Sequence, residues 1–264
     1  MTFLETILEH KAAEVAQRKI ARPIGTLLSA RWYGRSTISL KAALLKASPA
    51  IIAELKKASP SRGIIRHDFR PADFARAYEA AGAAAISVLT DERFFSGSLQ
   101  NLEDAREVVS IPLLRKDFVV DEYQLHEARA HGADAVLLIV AALSAPLLQS
   151  LLECAGRIGL DALVEVHTVG EVETALRAGA KLLGINNRDL HSFNVDLRTT
   201  EDILPHVPPT VTLVSESGIG SADQILRLTR SGVSAFLLGE SLMRSDDPGA
   251  ALADLLSSVR ERMK

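Results

Sequence analysis

The sequence predicts an α/β protein of the (β/α)8, or TIM-barrel, class, with an extra N-terminal helix and connector. A junction in which a helix ends in glycine and an apolar strand follows at once recurs at 81–90, 131–140, 178–187 and 231–240. Further apolar runs, which bring the strands to eight, lie at 51–57, 111–118, 162–167 and 211–218. The runs are nearly continuous in Val, Ile, Leu and Ala, as in parallel strands covered by helices. No glycine-rich dinucleotide turn follows the first strand, which favours a closed barrel over a doubly wound sheet.

The composition indicates a soluble globular protein. Of the 264 residues 47% are apolar, enough for a sizeable core. We expect one domain over 1–264, with an N-terminal helical extension at 1–49 and the barrel at 50–264. The formal net charge of −3 and the pI near 6.2 provide no basic field for nucleic acid.

Neither a membrane segment nor a disulfide is expected. The most apolar stretch, 135–148, is interrupted by Ser144 and Pro146 and is too short to span a bilayer. The N-terminal stretch carries acidic residues throughout, unlike a signal peptide. Cys154 is the only cysteine, and its apolar surroundings predict a packed helix residue. These features favour a reducing, cytoplasmic location.

We expect an amphipathic helix over 2–19 at the start of the extension. Thr2 and Glu5 mark its beginning, because they have the spacing of a capping box. The connector at 21–49 holds the only tryptophan, Trp32, and a short helical patch at 40–46. We expect the extension to cap one end of the closed sheet.

Helix start signals follow most of the predicted strands. They are Ser98, Asp121, Thr168 with Glu171, Ser221 with Gln224, and Asp247 before Pro248. Helical segments fill the gaps between the strands, and eight βα units result.

The first strand carries an unusual pair of charges. Glu54 and Lys56 are two residues apart, which places both side chains on the same face of the strand. A salt bridge at a strand end is one interpretation. A functional site is the other, because Ser59 to Gly63 follow at once with hydroxyls, a turn and a guanidinium.

Polar side chains recur at the other strand ends, and in a barrel the carboxyl ends of the strands hold the site. The candidates are Lys116, Asp117, Glu165, His167, Asn186, Asn187, Arg188, Asp189, Ser215 to Gly218, and Gly239 to Ser241. Two lysines among several carboxylates can divide acid and base roles. Metal binding is not expected, since the histidines are scattered: His126, His131 and His206 are expected at the surface, and a role for His167 stays open.

Two glycine loops predict an anion site. Ser217-Gly218 and Gly239-Glu240 each precede a helical segment, so backbone N–H groups from both loops can converge on a phosphate. The alternative is that both glycines serve tight turns only.

Six motifs together carry a family resemblance: IAELKKASPS, LLRKDF, LVEVH, GINNRDL, SESGI and GESLMR. In this combination the chain resembles the indole-3-glycerol phosphate synthases of tryptophan biosynthesis. The resemblance implies ring closure of 1-(2-carboxyphenylamino)-1-deoxyribulose 5-phosphate with loss of carbon dioxide and water. It also implies that neither a metal nor an organic cofactor takes part.

The resemblance implies roles residue by residue. Lys116 would be the general acid at the ribulose carbonyl, Lys56 would pair with the substrate carboxylate, and Glu165 would be the acid/base of dehydration. Glu54 and Asn186 would position the lysines and substrate. The remaining implied contacts are Arg188, Glu216 and Ser217 for substrate; Ser59, Ser217, Gly218, Gly239 and the backbone of Glu240 for phosphate; and Phe118 and Leu137 as walls for the anthranilate ring.

Two alternatives stay open. A Schiff-base phosphosugar aldolase would use Lys116 as a nucleophile, and a barrel that only senses a phosphosugar would bind without turnover. Glu54 and Glu165 are expected to hold Lys116 charged, which favours the acid, whereas Asp117 should point to the opposite face. The expected partner is a phosphosugar with an anthranilate ring, bound by a monomer or weak homo-oligomer.

Overall fold

The N-terminal extension forms three helices in the computed structural model, which describes residues 2–189 and 192–263. They are α1 (Phe3–Ala21), α2 (Ile24–Leu28) and α3 (Leu40–Lys46). Helix α1 begins at the predicted capping box, in which Thr2 and Glu5 each accept the other's backbone N–H. None of the described helices is long and apolar enough to cross a membrane.

Eight parallel strands then close into a barrel. The elements after the extension are β1 (Ala50–Leu55), β2 (Ala58–Ser59), β3 (Gly63–Ile64), α4 (Pro71–Ala81), β4 (Ala85–Leu89), α5 (Glu92–Phe95), α6 (Leu99–Arg106), β5 (Leu113–Lys116), α7 (Glu122–Ala130), β6 (Ala135–Ile139), α8 (Ala145–Arg157), β7 (Asp161–Val166), α9 (Val169–Arg177), β8 (Leu182–Asn186), α10 (Arg198–Ile203), β9 (Thr212–Glu216), α11 (Ala222–Arg230), β10 (Ala235–Leu238), α12 (Glu240–Met243) and α13 (Pro248–Met263). The strand order β1-β10-β9-β8-β7-β6-β5-β4 closes where β4 pairs with β1. This topology confirms the predicted TIM-barrel class.

The recurring glycine junctions are helix ends in the left-handed conformation. The φ angles are +96° at Gly82, +89° at Gly132, +92° at Gly179 and +111° at Gly232. Glycine adopts this conformation without the steric cost that a Cβ imposes. The next strand of the barrel starts within three residues of each glycine, so the connections from helix to strand are short.

The connector closes the end of the barrel at which the strands begin. Leu40 and Leu44 of α3 pack in one cluster with barrel-interior side chains such as Ile52 and Leu163. Asp161, the first residue of β7, accepts hydrogen bonds from Ser39 Oγ at 2.9 Å and Lys41 N at 3.0 Å. Helix α3 therefore plugs the end opposite the carboxyl ends of the strands.

Helix α1 lies at the other end and is fixed there by a buried lysine. The Lys11 side chain is 1% exposed, with Nζ 2.9 Å from Asp91 Oδ2 and 3.0 Å from Asp117 Oδ1. Asp91 follows β4 and Asp117 follows β5. The extension thus covers both ends of the barrel, whereas one end was expected.

The surface assignment of His131 is wrong. His131 is buried, with Nε2 2.8 Å from Arg22 Nη1 and Nδ1 3.0 Å from Glu103 Oε1. Burial lowers its pKa to about 4, so the ring is neutral near pH 7. The physical reason is that the start of the connector covers the end of α7. His206 is exposed, and Cys154 is buried in α8, as expected.

Candidate active site

A cavity of about 630 Å³ opens at the carboxyl ends of the strands. Its wall includes every residue to which the family resemblance assigned a role: Glu54, Lys56, Ser59, Lys116, Phe118, Leu137, Glu165, Asn186, Arg188, Glu216, Ser217, Gly218, Gly239 and Glu240. The barrel brings these residues together although they are separated by up to 186 positions. Of the other strand-end candidates, Asp117 and Ser241 line the cavity, whereas His167, Asn187, Asp189 and Ser215 do not.

Four ionisable side chains form one layer across the pocket floor. Glu54, Lys116, Glu165 and Glu216 lie on β1, β5, β7 and β9, which are alternate strands around the barrel. Alternate strands of a (β/α)8 barrel contribute the side chains of a single interior layer. The layer therefore places three carboxylates around one ammonium group.

Lys116 contacts two of these carboxylates directly. Its Nζ lies 2.9 Å from Glu165 Oε2 and 2.9 Å from Glu216 Oε2. Burial by itself lowers the pKa of Lys116, but the nearby charges of Glu165, Glu216 and Glu54 outweigh it and raise the pKa above its ordinary value. Lys116 is consequently held as an ammonium. The contact with Glu216 was not predicted from the sequence, which had named Glu54 and Glu165.

Glu165 is surrounded by donors. Besides Lys116 on Oε2, it accepts a hydrogen bond on Oε1 from Asn186 Nδ2 at 3.1 Å. His167 Nε2 lies 3.4 Å from the same oxygen. Burial raises the pKa of Glu165, but the charges of Lys116 and His167 outweigh it and lower the pKa below its ordinary value. Glu165 is therefore ionised in the free protein.

Glu216 has the opposite environment. Its Oε1 is buried and has no hydrogen-bond partner among the described residues. Burial and the negative charge of Glu165 raise the pKa of Glu216 to about 7, although the positive charge of Lys116 acts to lower it. Residue 184 is glycine because a Cβ there would overlap Glu216 Oε1. The pKa values of the two carboxyls that share Lys116 therefore shift in opposite directions, down for Glu165 and up for Glu216.

The charged pair on the first strand faces the pocket. Glu54 Oε2 lies 3.2 Å from Lys56 Nζ, so the salt bridge exists, but it lines the cavity. Lys56 Nζ also lies 5.7 Å from the centroid of the Phe95 ring. The Lys56 side chain is 18% exposed, which leaves its ammonium accessible to an anion in the pocket.

The two glycine loops meet on one side of the pocket. Ser217 and Gly218 have φ angles of +67° and +78°, and Asn187 Nδ2 fixes this turn by donating to the Ser217 carbonyl at 3.1 Å. A non-glycine residue in this conformation is strained, which is common at functional sites. Ser59 Oγ is buried, with no hydrogen-bond partner in the described part of the chain. Helix α12 begins directly after Gly239, where Met243 N–H donates to the Gly239 carbonyl at 2.9 Å.

Three arginines surround the carboxylate of Glu240. Its oxygens lie 3.3 Å from Arg62 Nε, 3.4 Å from Arg244 Nε and 3.9 Å from Arg188 Nη2. Opposite charges at these distances attract, so the Glu240 carboxylate forms ion pairs with the guanidinium groups. Its backbone remains at the start of α12.

Apolar side chains form the remaining wall. Phe118 and Leu137 line the pocket, and the Phe118 ring lies 6.2 Å from that of Phe95. Phe3 of α1 packs edge-on against Phe193 with ring centroids 5.4 Å apart. Sequence reasoning missed Phe3, Phe95 and Phe193. The aromatic pair after β4, in DERFF, was a usable signal, whereas Phe3 reaches the pocket only through the docking of α1.

Comparisons with known proteins identify the family of the chain. A family model described as Indole-3-glycerol phosphate synthase matches residues 4–255. The chain is 49% identical over 254 residues to the indole-3-glycerol phosphate synthase of Burkholderia vietnamiensis, covering 95% of this chain and 97% of that one. It is 47% identical over 257 residues to the protein of the same name from Mycolicibacterium vanbaalenii, covering 97% and 94%.

Among solved structures the chain is similar to thiamine phosphate pyrophosphorylase from Pyrococcus furiosus, with a TM-score of 0.63 at 18% identity over 83% of this chain and 100% of that one. It is also similar to a 3-hexulose-6-phosphate synthase, with a TM-score of 0.63 at 12% identity over 80% and 99%. At these identities the likeness shows the fold alone. From the family match and the identity to its relatives, the chain belongs to the indole-3-glycerol phosphate synthase family.

Proposed function

We propose that the chain converts 1-(2-carboxyphenylamino)-1-deoxyribulose 5-phosphate to indole-3-glycerol phosphate, carbon dioxide and water by general acid/base catalysis. The observation that carries the proposal is Lys116, held as an ammonium by Glu165 and Glu216 on the floor of the pocket. Such a group is suited to protonate a carbonyl oxygen that becomes an alkoxide. Family membership supports the same reaction.

In this proposal the substrate is held at three places. The phosphate binds between the Ser217-Gly218 and Gly239-Glu240 loops, where buried Ser59 Oγ supplies a further donor. The anthranilate ring lies against Phe118 and Leu137. Its carboxylate pairs with Lys56, whose ammonium is accessible in the pocket. Arg188 contacts the sugar phosphate side of the substrate.

The first chemical step joins the aryl carbon to the ribulose carbonyl carbon. Lys116 gives its proton to the carbonyl oxygen as this bond forms, because an alkoxide would otherwise develop in a buried site. The carboxylate then leaves as carbon dioxide, and its bonding electrons restore the aromatic ring. Glu54 orients Lys56 through their 3.2 Å contact.

The second step removes water. The hydroxyl formed from the carbonyl needs a proton to leave, and the methylene carbon beside nitrogen must lose one. Glu165 serves as the acid/base of this step, and Asn186 holds its Oε1 in place. Neither a metal nor an organic cofactor is required.

The Schiff-base alternative receives less support. An imine-forming lysine needs a lowered pKa, which burial or a neighbouring cation provides. The pKa of Lys116 is instead raised, because burial is outweighed by three carboxylates. A protonated amine is a poor nucleophile and a good acid.

The direct test is to incubate the protein with the carboxyphenylamino-deoxyribulose phosphate and follow indole fluorescence. We expect fluorescence to rise with catalytic turnover. Binding of the substrate without any indole product would contradict the proposal and support the phosphosugar-sensing alternative.

We further propose a cytoplasmic enzyme that acts as a monomer or a weak homo-oligomer. The residues with proposed roles line one pocket within a single barrel, which supports a monomer that is active by itself. Sedimentation at working concentration tests the oligomeric state, and an obligate oligomer would contradict it.

A further inference from the structure

His167 lies between two carboxylates, immediately after β7. Its Nε2 is 3.4 Å from Glu165 Oε1, and its Nδ1 is 3.3 Å from Glu171 Oε2. Glu171 also accepts the backbone N–H of His167 at 2.7 Å, which fixes it beside the ring. Nε2 is buried, and no described residue forms a hydrogen bond with it. The nitrogen thus points at the acid/base of the proposed reaction without a formed bond.

The two carboxylates beside His167 favour the doubly protonated form of its ring. A neutral ring with the proton on Nδ1 would turn the Nε2 lone pair toward the Glu165 carboxylate, which is repulsive. An imidazolium presents an N–H to both acids. Although burial lowers the pKa of His167, the hydrogen bond to Glu171 and the charges of Glu165, Glu171 and Glu216 raise it above its ordinary value.

The proposed reaction consumes one proton each time it occurs, because a carboxylate leaves as neutral carbon dioxide. Protonating the carbonyl and expelling the hydroxyl as water use two protons, and the methylene carbon returns only one. Lys116 can donate the proton that goes to the carbonyl oxygen and regain the proton that the methylene carbon loses. The proton for the departing hydroxyl must then come through Glu165. Glu165 is ionised beside Lys116 and therefore needs a donor of its own.

We propose that His167 is this donor and that Glu171 positions and charges it. The His167 Nε2–H bond breaks as the Glu165 Oε1–H bond forms, which leaves a neutral imidazole and a carboxylic acid. Glu165 then protonates the departing hydroxyl. After product release, water in the emptied pocket returns a proton to Glu165, which lines the pocket, and Glu165 passes it on to Nε2. Both residues act through Glu165 and are positioning residues; the inference rests on the proposed function.

The test compares His167→Gln and Glu171→Gln with a control, Glu173→Gln, which lies on α9 together with Glu171 and whose side chain is 64% exposed. We expect His167→Gln to lower kcat by roughly ten-fold or more, which is a smaller loss than removal of a direct general acid causes. KM should change by less than two-fold. Added imidazole should restore part of the lost kcat. Glu173→Gln should behave as the wild type.

Glu171→Gln keeps an acceptor for His167 but removes the charge that favours the imidazolium. The falling, alkaline limb of the kcat profile should therefore move to lower pH in this variant. Wild-type kcat and profile in both variants would overturn the inference while leaving the proposed function intact. A loss of kcat in His167→Gln that imidazole does not restore, together with an unmoved profile in Glu171→Gln, would overturn it in favour of a structural role. A wild-type protein that forms no indole would instead overturn the proposed function.

Discussion

At the residue scale, the charge count of the pocket floor explains how its groups divide their protons. In the buried layer Glu54, Glu165 and Glu216 surround one ammonium, Lys116, while at its edge Lys56 contacts Glu54 and His167 lies 3.4 Å from Glu165 Oε1. Full ionisation would leave an excess negative charge in a buried layer, which is costly. Glu216 Oε1 has no hydrogen-bond partner among the described residues, and burial raises the pKa of Glu216 to about 7. Glu165 and Lys116 stay charged.

Replacing Glu165 by Gln removes the acid/base but retains the shape of the side chain. We expect kcat to fall by roughly two to four powers of ten, the range for loss of a general acid/base. Circular dichroism should show an unchanged fold. A correctly folded Gln variant with near wild-type turnover would reduce Glu165 to a structural role.

Asp117 makes part of the stability dependent on pH. Although burial raises its pKa, Arg115 and Lys11 outweigh this and lower the pKa to about 2 from an ordinary value of 3.8. A carboxyl with a lowered pKa contributes stability above its unfolded pKa, and that stability is lost as pH falls toward the folded value. The Asp117→Asn variant should therefore be destabilised at pH 7, and its difference from the wild type should narrow below about pH 4.

Urea unfolding at pH 7, 4 and 3 measures this difference. The exposed Asp254→Asn variant provides a control and should stay within about 0.5 kcal/mol of the wild type at each pH. A gap for Asp117→Asn that stays constant over this range would contradict the assignment.

At the element scale, α1 is attached to the catalytic end by charge as well as by apolar packing. Ile7 and Val15 are buried, but so is Lys11, between Asp91 and Asp117. Asp117 directly follows Lys116 in the chain. The helix is therefore tied to the segment that presents the proposed acid, and Phe3, Leu4 and Ile7 extend the pocket wall.

Lys11→Met tests this attachment. Removing one partner of a buried ion pair leaves uncompensated charge and typically costs about 3–5 kcal/mol. We expect a loss of that order in the free energy of unfolding and a higher KM, because α1 lines the pocket. Lys181→Met, at an exposed position, should change stability by less than about 0.5 kcal/mol.

Equal stability of Lys11→Met and the wild type would show that the buried pairs contribute nothing net. Unchanged KM in a destabilised Lys11→Met variant would separate the stability of α1 from substrate binding.

The elements themselves were predictable where a repeating pattern encodes them. The barrel strands, the helix at 40–46 and the capping box at Thr2 follow from apolar runs and local caps, and the structure confirms them. The hairpin of β2 and β3 was missed, because strands of two residues carry no pattern. His131 was misplaced because its burial depends on a connector about 100 residues away.

At the scale of the whole molecule, topology made the site predictable and register limited the prediction. Since all strand ends of a parallel barrel meet on one side, polar residues there could be grouped from the sequence. Which of them touch depends on how strands are staggered, so the Lys116–Glu216 contact was not foreseen. The burial of Lys11 could not be predicted either, because its partners Asp91 and Asp117 follow strands that are distant in the sequence. The catalytic roles themselves stay predictions.

The proposed reaction depends on Lys116 acting as a protonated acid rather than as a nucleophile. Treating the wild-type enzyme and its substrate with borohydride, followed by mass measurement of the tryptic peptide that contains Lys116, tests it most directly. We expect no mass increase, because an ammonium held by Glu165 and Glu216 forms no imine. A reduced substrate adduct on Lys116 would show that the lysine is a nucleophile and would support the aldolase-like alternative.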